Sequence, residues 1–171
     1  VGTVKQLYVR MKQLDIYPDE SLYHYIIRGI QRNKLDTTNM KVLIGIEEEI
    51  CAVYGEIPPA LCETLSSVYA NKGAHERVLD IYRGRRKKGV KLTPNTYRYI
   101  IGACCKSRCR SYMIRMVVQD LKAKNIECTG VMYAGAIEAC RKANNNYLAL
   151  SLFWDMVEAG INPEARVYSS V

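Results

Sequence analysis

Apolar residues fall at helical spacing along the whole chain, in paired runs separated by short polar breaks. Tyr97, Ile101 and Cys104 form one such run, Tyr133, Ile137 and Cys140 another, and Cys62, Leu65 and Tyr69 a third. Each is followed by a polar stretch, NKGAH at 71–75, KSRCR at 106–110 or KANNN at 142–146, and then by a second run. The second runs are Val78, Leu79 and Tyr82; Ile114, Val117, Val118 and Leu121; and Leu148, Leu152, Phe153 and Met156. Positions three and four apart share one face of a helix, so each pair of runs predicts two amphipathic helices joined by a tight turn.

The pairs are periodic. Tyr23, Cys62, Tyr97, Tyr133 and Tyr168, each near the start of a first helix, are spaced 39, 35, 36 and 35 residues apart. Punctuation repeats with them. KKGVKLTPNTY at 87–97 and EAGINPEARVY at 158–168 both run from a charged helix end through Gly, a β-branched residue and Pro to Tyr. Gly accepts the left-handed turn that closes a helix, and Pro suits the first turn of the next. One hairpin cannot bury both of its apolar faces, so neighbours must stack. The expected fold is all-α, a right-handed α-solenoid of helix-turn-helix repeats of about 35 residues.

Its expected divisions are a second helix of a partial repeat at 1–19, a long divergent repeat at 20–58, repeats at 59–93, 94–129 and 130–164, and the start of a further repeat at 165–171. Half-hairpins at both ends, and Val1 where Met would open a complete chain, suggest an excerpt of a longer array. The unit at 20–58 also carries Glu47, Glu48 and Glu49 in its second helix, which fits either a partner contact or a solvated acidic patch.

Composition excludes disorder: 49% of residues are hydrophobic and 25% charged. The longest clean apolar runs, such as VLIGI at 42–46, are too short to span a bilayer, so no membrane partner is expected. Seven cysteines include no CxxC pair, and His24 and His75 lie far in sequence from Cys104, Cys105 and Cys109. Buried free thiols in a reducing compartment are expected, with no metal and no cofactor.

Charge changes the picture further. The net charge is +8, and residues 83–142 hold 15 Lys and Arg against 3 Asp and Glu. Such a concentration is the electrostatic footprint of a nucleic-acid partner. Its clusters are Arg83, Arg85, Arg86, Lys87 and Lys88 at the end of one second helix, then Lys106, Arg108 and Arg110 in the following turn. Arg141 and Lys142 occupy the equivalent turn of the next unit. Together these ten residues make a candidate basic stripe for phosphate contact, with the cluster at 83–88 also suited to complementing a helix dipole.

The stretches YRYIIGACCK at 97–106, MYAGAIEACRKA at 132–143 and ALSLFWDMVEAGINPE at 149–164 resemble the pentatricopeptide repeat. The Trp and Leu-Gly signature of the tetratricopeptide repeat is missing from the first helices. The resemblance implies an organellar RNA-binding protein that holds single-stranded RNA along the surface of its first helices. It also implies reader residues just after the anchor and just before the next repeat. These are His24, Glu63 with Thr93, Arg98 with Thr129, and Ala134 with Glu164, none of which conforms to the family's usual pairs. Ala134 has nothing to offer a base edge, and Arg98 gives affinity with little sequence information.

The implied role is a structural, RNA-binding component of a mitochondrial ribosome or similar ribonucleoprotein in the mitochondrial matrix, with the plastid as the other compartment. Other proteins of that particle are expected partners. A transcript-specific factor for RNA processing, stability or translation, and a scaffold binding only protein, are the alternatives. No Gly-rich phosphate loop, HExxH, Gly-x-Ser-x-Gly or deaminase motif is present, so neither an enzyme nor a small-molecule substrate is expected in this segment.

Overall fold

A computed structural model describes residues 2–14, 16–31, 37–107 and 111–170. They form ten helices: α1 (Gly2–Gln13), α2 (Glu20–Gln31), α3 (Thr37–Tyr54), α4 (Pro59–Asn71), α5 (His75–Lys87), α6 (Pro94–Lys106), α7 (Ser111–Ala123), α8 (Gly130–Lys142), α9 (Asn146–Glu158) and α10 (Ala165–Tyr168). No strand occurs among the described residues. The chain divides into two compact units, Val1–Lys72 and Gly73–Val171.

In the first unit α2 packs on α1, α3 and α4. Tyr23, Ile26, Ile27 and Ile30 form the buried stripe of α2, and Leu43, Ile46 and Ile50 that of α3. The acidic run on α3 is not a solvated patch. Glu49 is nearly buried and accepts hydrogen bonds from the Tyr8 and Tyr23 hydroxyls, both at 2.7 Å, while pairing with Lys12. Glu47 accepts from the Tyr69 hydroxyl at 2.8 Å. Only Glu48 is exposed. Two carboxylates of the run therefore tie α1, α2 and α4 to α3.

In the second unit the first helices α6 and α8 lie side by side. Both start where a threonine caps and the next residue begins the helix: Thr93 Oγ1 accepts from Thr96 N at 3.2 Å, and Thr129 Oγ1 from Met132 N at 3.4 Å. Pro94 occupies the first turn of α6, where its missing N–H costs nothing. Pro163 differs from this pattern, because Glu164 stands between it and α10.

The second helices end alike. Gly89 (φ 68°), Asn125 (φ 50°) and Gly160 (φ 72°) adopt the left-handed conformation. The residue after each donates back to the helix, Val90 to Arg85 O at 3.2 Å, Ile126 to Leu121 O at 3.0 Å and Ile161 to Met156 O at 3.1 Å. This is the six-to-one closure in which a β-branched residue follows a left-handed one, and it accounts for the repeated punctuation.

Burial follows helical spacing. On α7 Met113, Ile114, Val117 and Leu121 are buried, and 35 residues later Leu148, Ala149, Leu152 and Met156 are buried on α9. Replacing Leu152 by Ala is expected to cost about 2–5 kcal/mol by urea unfolding. The exposed Leu150 supplies the control, with Leu150→Ala expected to stay within about 0.5 kcal/mol. Equal losses at the two positions are incompatible with this helix orientation.

Candidate nucleic-acid interface

The five periodic anchors all fall on the fourth residue of a helix: Tyr23, Cys62, Tyr97, Tyr133 and Tyr168. Tyr23, Cys62 and Tyr97 are fully buried. The Tyr97 ring meets Tyr82 edge-on at 6.4 Å, its hydroxyl takes a hydrogen bond from Lys124 at 3.3 Å, and burial pushes its pKa up to about 12. Tyr133 is half-buried, whereas Tyr168 is exposed and its ring lies 5.7 Å from that of Phe153. Phe153 also contacts Trp154, which is itself exposed.

One residue further along, Arg98 and Ala134 open onto a groove of about 550 Å³ formed by α6, α8 and the segment around α10. Ile101, Gly102, Ala134 and Gly135 give it a floor of small or apolar side chains, and Gly135 lies so close to Ile101 that an added Cβ would stand 3.0 Å from Ile101 Cγ2. Charge lines the walls: Arg98, Lys106, Arg141 and Arg166, with one carboxylate, Glu138. The walls favour an anion.

The other expected readers are engaged in the fold. His24 Nδ1 lies 2.8 Å from Thr64 Oγ1. Because the Thr64 hydroxyl donates to Ala60 O at 3.0 Å, the histidine is the donor of that pair. Glu63 is half-buried on α4. Thr93 and Thr129 each accept one helix-cap hydrogen bond, Ala134 is 7% exposed, and Glu164 pairs with Arg166 at 2.9 Å. Arg98 is exposed and lies over the ring of its neighbour Tyr99 at 4.9 Å.

The basic residues separate into groups. Arg83 pairs with Asp80 at 2.8 Å, and Arg86 with Asp120 at 3.1 Å, where the Tyr82 hydroxyl also donates at 2.8 Å. Lys87 and Lys88 are exposed at the end of α5. Arg85 requires a correction: it is 4% exposed and does not belong to a surface stripe, because helical spacing aligns it with buried Val78, Ile81 and Tyr82. None of these residues lines the groove. Lys106 and Arg141 do, and Lys142 stands beside them, donating to Cys105 O at 3.0 Å. Arg108 and Arg110 lie outside the described residues. Arg166 and Glu138, neither among the expected site residues, complete the groove.

Comparison with known proteins addresses what such a hairpin array is. The sequence model of the pentatricopeptide repeat domain matches residues 116–171, which include α8, α9 and α10. Over those residues the chain is similar to the pentatricopeptide repeat. A pentatricopeptide repeat-containing protein of Arabidopsis thaliana, described as chloroplastic, is 28% identical over 79 residues, covering 46% of this chain and 14% of that one. The crystal structure of the pentatricopeptide repeat protein PPR10 in complex with an 18-nt PSAJ RNA element aligns over 99% of this chain and 29% of its own, at 16% identity and a TM-score of 0.51. A second structure of PPR10, from maize, aligns over 97% of this chain and 28% of its own, at 12% identity and a TM-score of 0.49. The chain thus spans less than a third of these pentatricopeptide repeat proteins, and its fold is of the α-solenoid class.

Proposed function

We propose that this chain is an RNA-binding scaffold of an organelle, holding RNA by its phosphates and shape rather than base by base. The observation that carries the reading is the groove itself. Its walls present Arg98, Lys106 and Arg166, and among the other positions expected to read bases Thr129 caps α8, Glu164 pairs with Arg166 and Ala134 is buried. Phosphate contacts give affinity and register without sequence information. PPR10, the similar solenoid, was solved with an RNA element, which supports RNA as the ligand class. The chloroplastic relative supports an organellar setting, the mitochondrial matrix or the plastid.

Within that setting the chain acts as a structural component of a ribonucleoprotein such as the mitochondrial ribosome, held there by RNA and neighbouring proteins. The departure of the expected reader pairs from the family's usual ones favours this over a transcript-specific factor, and no reaction is assigned to it. The test is titration of the full chain with several unrelated single-stranded RNAs across a range of salt. All are expected to bind with similar affinity, each neutralised phosphate contributing about 0.7 to the slope of log affinity against log salt. Binding confined to one sequence overturns backbone recognition, and no binding at low salt overturns RNA recognition altogether. Sedimentation of the native protein with and without RNase then separates the roles, a large particle of fixed stoichiometry supporting the structural one.

A further inference from the structure

Glu138 stands in the wall of the basic groove with four donors converging on it. Its Oε1 accepts from Arg141 Nη2 at 2.8 Å, and its Oε2 accepts from Arg141 Nε at 2.9 Å and, at 3.1 Å, from the Ser170 hydroxyl, which shares its one hydrogen with Arg166 O at 2.9 Å. Lys142 Nζ lies 3.6 Å from Oε1. The donors come from α8 and from the segment after α10, while Cys105 O on α6 anchors Lys142 at 3.0 Å. A guanidinium fork, a hydroxyl and an ammonium around one pair of oxygens is the set that also suits the two free oxygens of a phosphodiester. Arg141 first, against the opposing effect of burial, holds the Glu138 carboxyl down to about 2, with Ser170 and Lys142 assisting. The group is therefore an anion at every physiological pH.

We propose that Glu138 is a resident anion in a phosphate seat: in the RNA-free chain it occupies the donors of Arg141, Lys142 and Ser170, and an RNA phosphate takes the seat only by displacing it. This rests on the RNA-binding reading and adds its regulation, a built-in competitor that weakens binding and reduces its salt dependence. The displacement is feasible because ion pairs three and four residues apart on an exposed helix face are individually weak. Glu138 also offsets one of the two positive charges, Arg141 and Lys142, that α8 brings to the groove.

The experiment measures binding of an oligouridine RNA to the full chain as wild type, Glu138→Gln, Arg141→Gln and the double variant, across salt. Glu138→Gln is expected to tighten binding at low salt by roughly three- to tenfold and to steepen the salt slope by about 0.7 to 1.4, as one or two further phosphates are neutralised. Arg141→Gln is expected to matter little in the wild type and to cancel most of the gain in the Glu138→Gln background. Melting temperatures check folding. Ser170→Ala, which removes one donor from carboxylate and phosphate alike without changing charge, is expected to leave affinity and salt slope close to those of the wild type. Glu138→Gln that binds with unchanged affinity and slope, or more weakly while folded, overturns the inference but leaves RNA binding intact. Failure of the wild type to bind RNA at all overturns the underlying reading instead.

Discussion

Replacing Glu49 by Ala is expected to destabilise the first unit by about 3–5 kcal/mol. The side chain is 9% exposed, and its carboxylate is the acceptor for Tyr8 and Tyr23, whose rings are 6% and 0% exposed. Truncation leaves two phenol hydroxyls without that partner, each costing about 1–3 kcal/mol, and removes the ion pair with half-exposed Lys12. Glu49→Gln retains one oxygen acceptor and is expected to cost about half as much. Glu48, next in sequence and exposed, is the control, with Glu48→Ala expected within about 0.5 kcal/mol. Urea unfolding monitored on the tyrosines distinguishes the cases. Equal effects at 48 and 49 are inconsistent with Glu49 as the junction of three helices.

The same network sets an acid limit. Burial alone raises the pKa of Glu49, but the donors Lys12, Tyr8 and Tyr23 outweigh it and the net shift is downward. A carboxyl whose folded pKa lies below its unfolded value stabilises fully above the unfolded value and loses that contribution as pH falls. Glu138 acts likewise in the second unit, its contribution fading from the ordinary 4.5 down to about 2. On the alkaline side burial raises Tyr8, Tyr23 and Tyr82, and the Glu49 and Asp120 carboxylates beside them reinforce it, so stability declines as pH climbs above the ordinary phenol value.

The helices were legible because their ends are written in residues with few alternatives. Gly89 and Gly160 with Val90 and Ile161 specify a left-handed closure, and Pro94 after Thr93 specifies a start. Asn125 closes α7 the same way but is less conspicuous, since asparagine tolerates positive φ without being committed to it. Arg85 was readable and overshadowed: its cluster drew attention to charge, while its spacing from Val78 and Tyr82 placed it inside. Glu138, Arg141 and Lys142 stand three and four apart on one helix, so their pairing was also within reach. The place of Arg166 was not. It depends on how a four-residue helix docks on α8, a tertiary fact with no local signature. The expected reader positions likewise had a legible place, but that the Thr93 and Thr129 hydroxyls cap α6 and α8 emerges only with the helix starts.

Simultaneous replacement of Arg98, Lys106 and Arg166 by Gln is expected to weaken RNA binding about ten- to a hundredfold at low salt, and to flatten the salt slope by up to about 2. These three are chosen over the wider stripe for an electrostatic reason. Arg83 and Arg86 have carboxylate partners, Arg85 is buried, and Arg141 and Lys142 are engaged by Glu138. Arg98 and Lys106 are exposed on the groove wall, and Arg166 shares only a solvent-exposed pair with Glu164, which contributes little to stability. The triple variant should therefore fold as the wild type does. Since phosphates are common to all sequences, the loss should be uniform across RNAs rather than selective, which separates backbone contact from base readout. Lys87→Gln with Lys88→Gln, removing charge from the end of α5 outside the groove, should change affinity far less. If the lysine pair proves as costly as the groove triple, long-range attraction to a basic surface, and not this groove, is what holds the RNA.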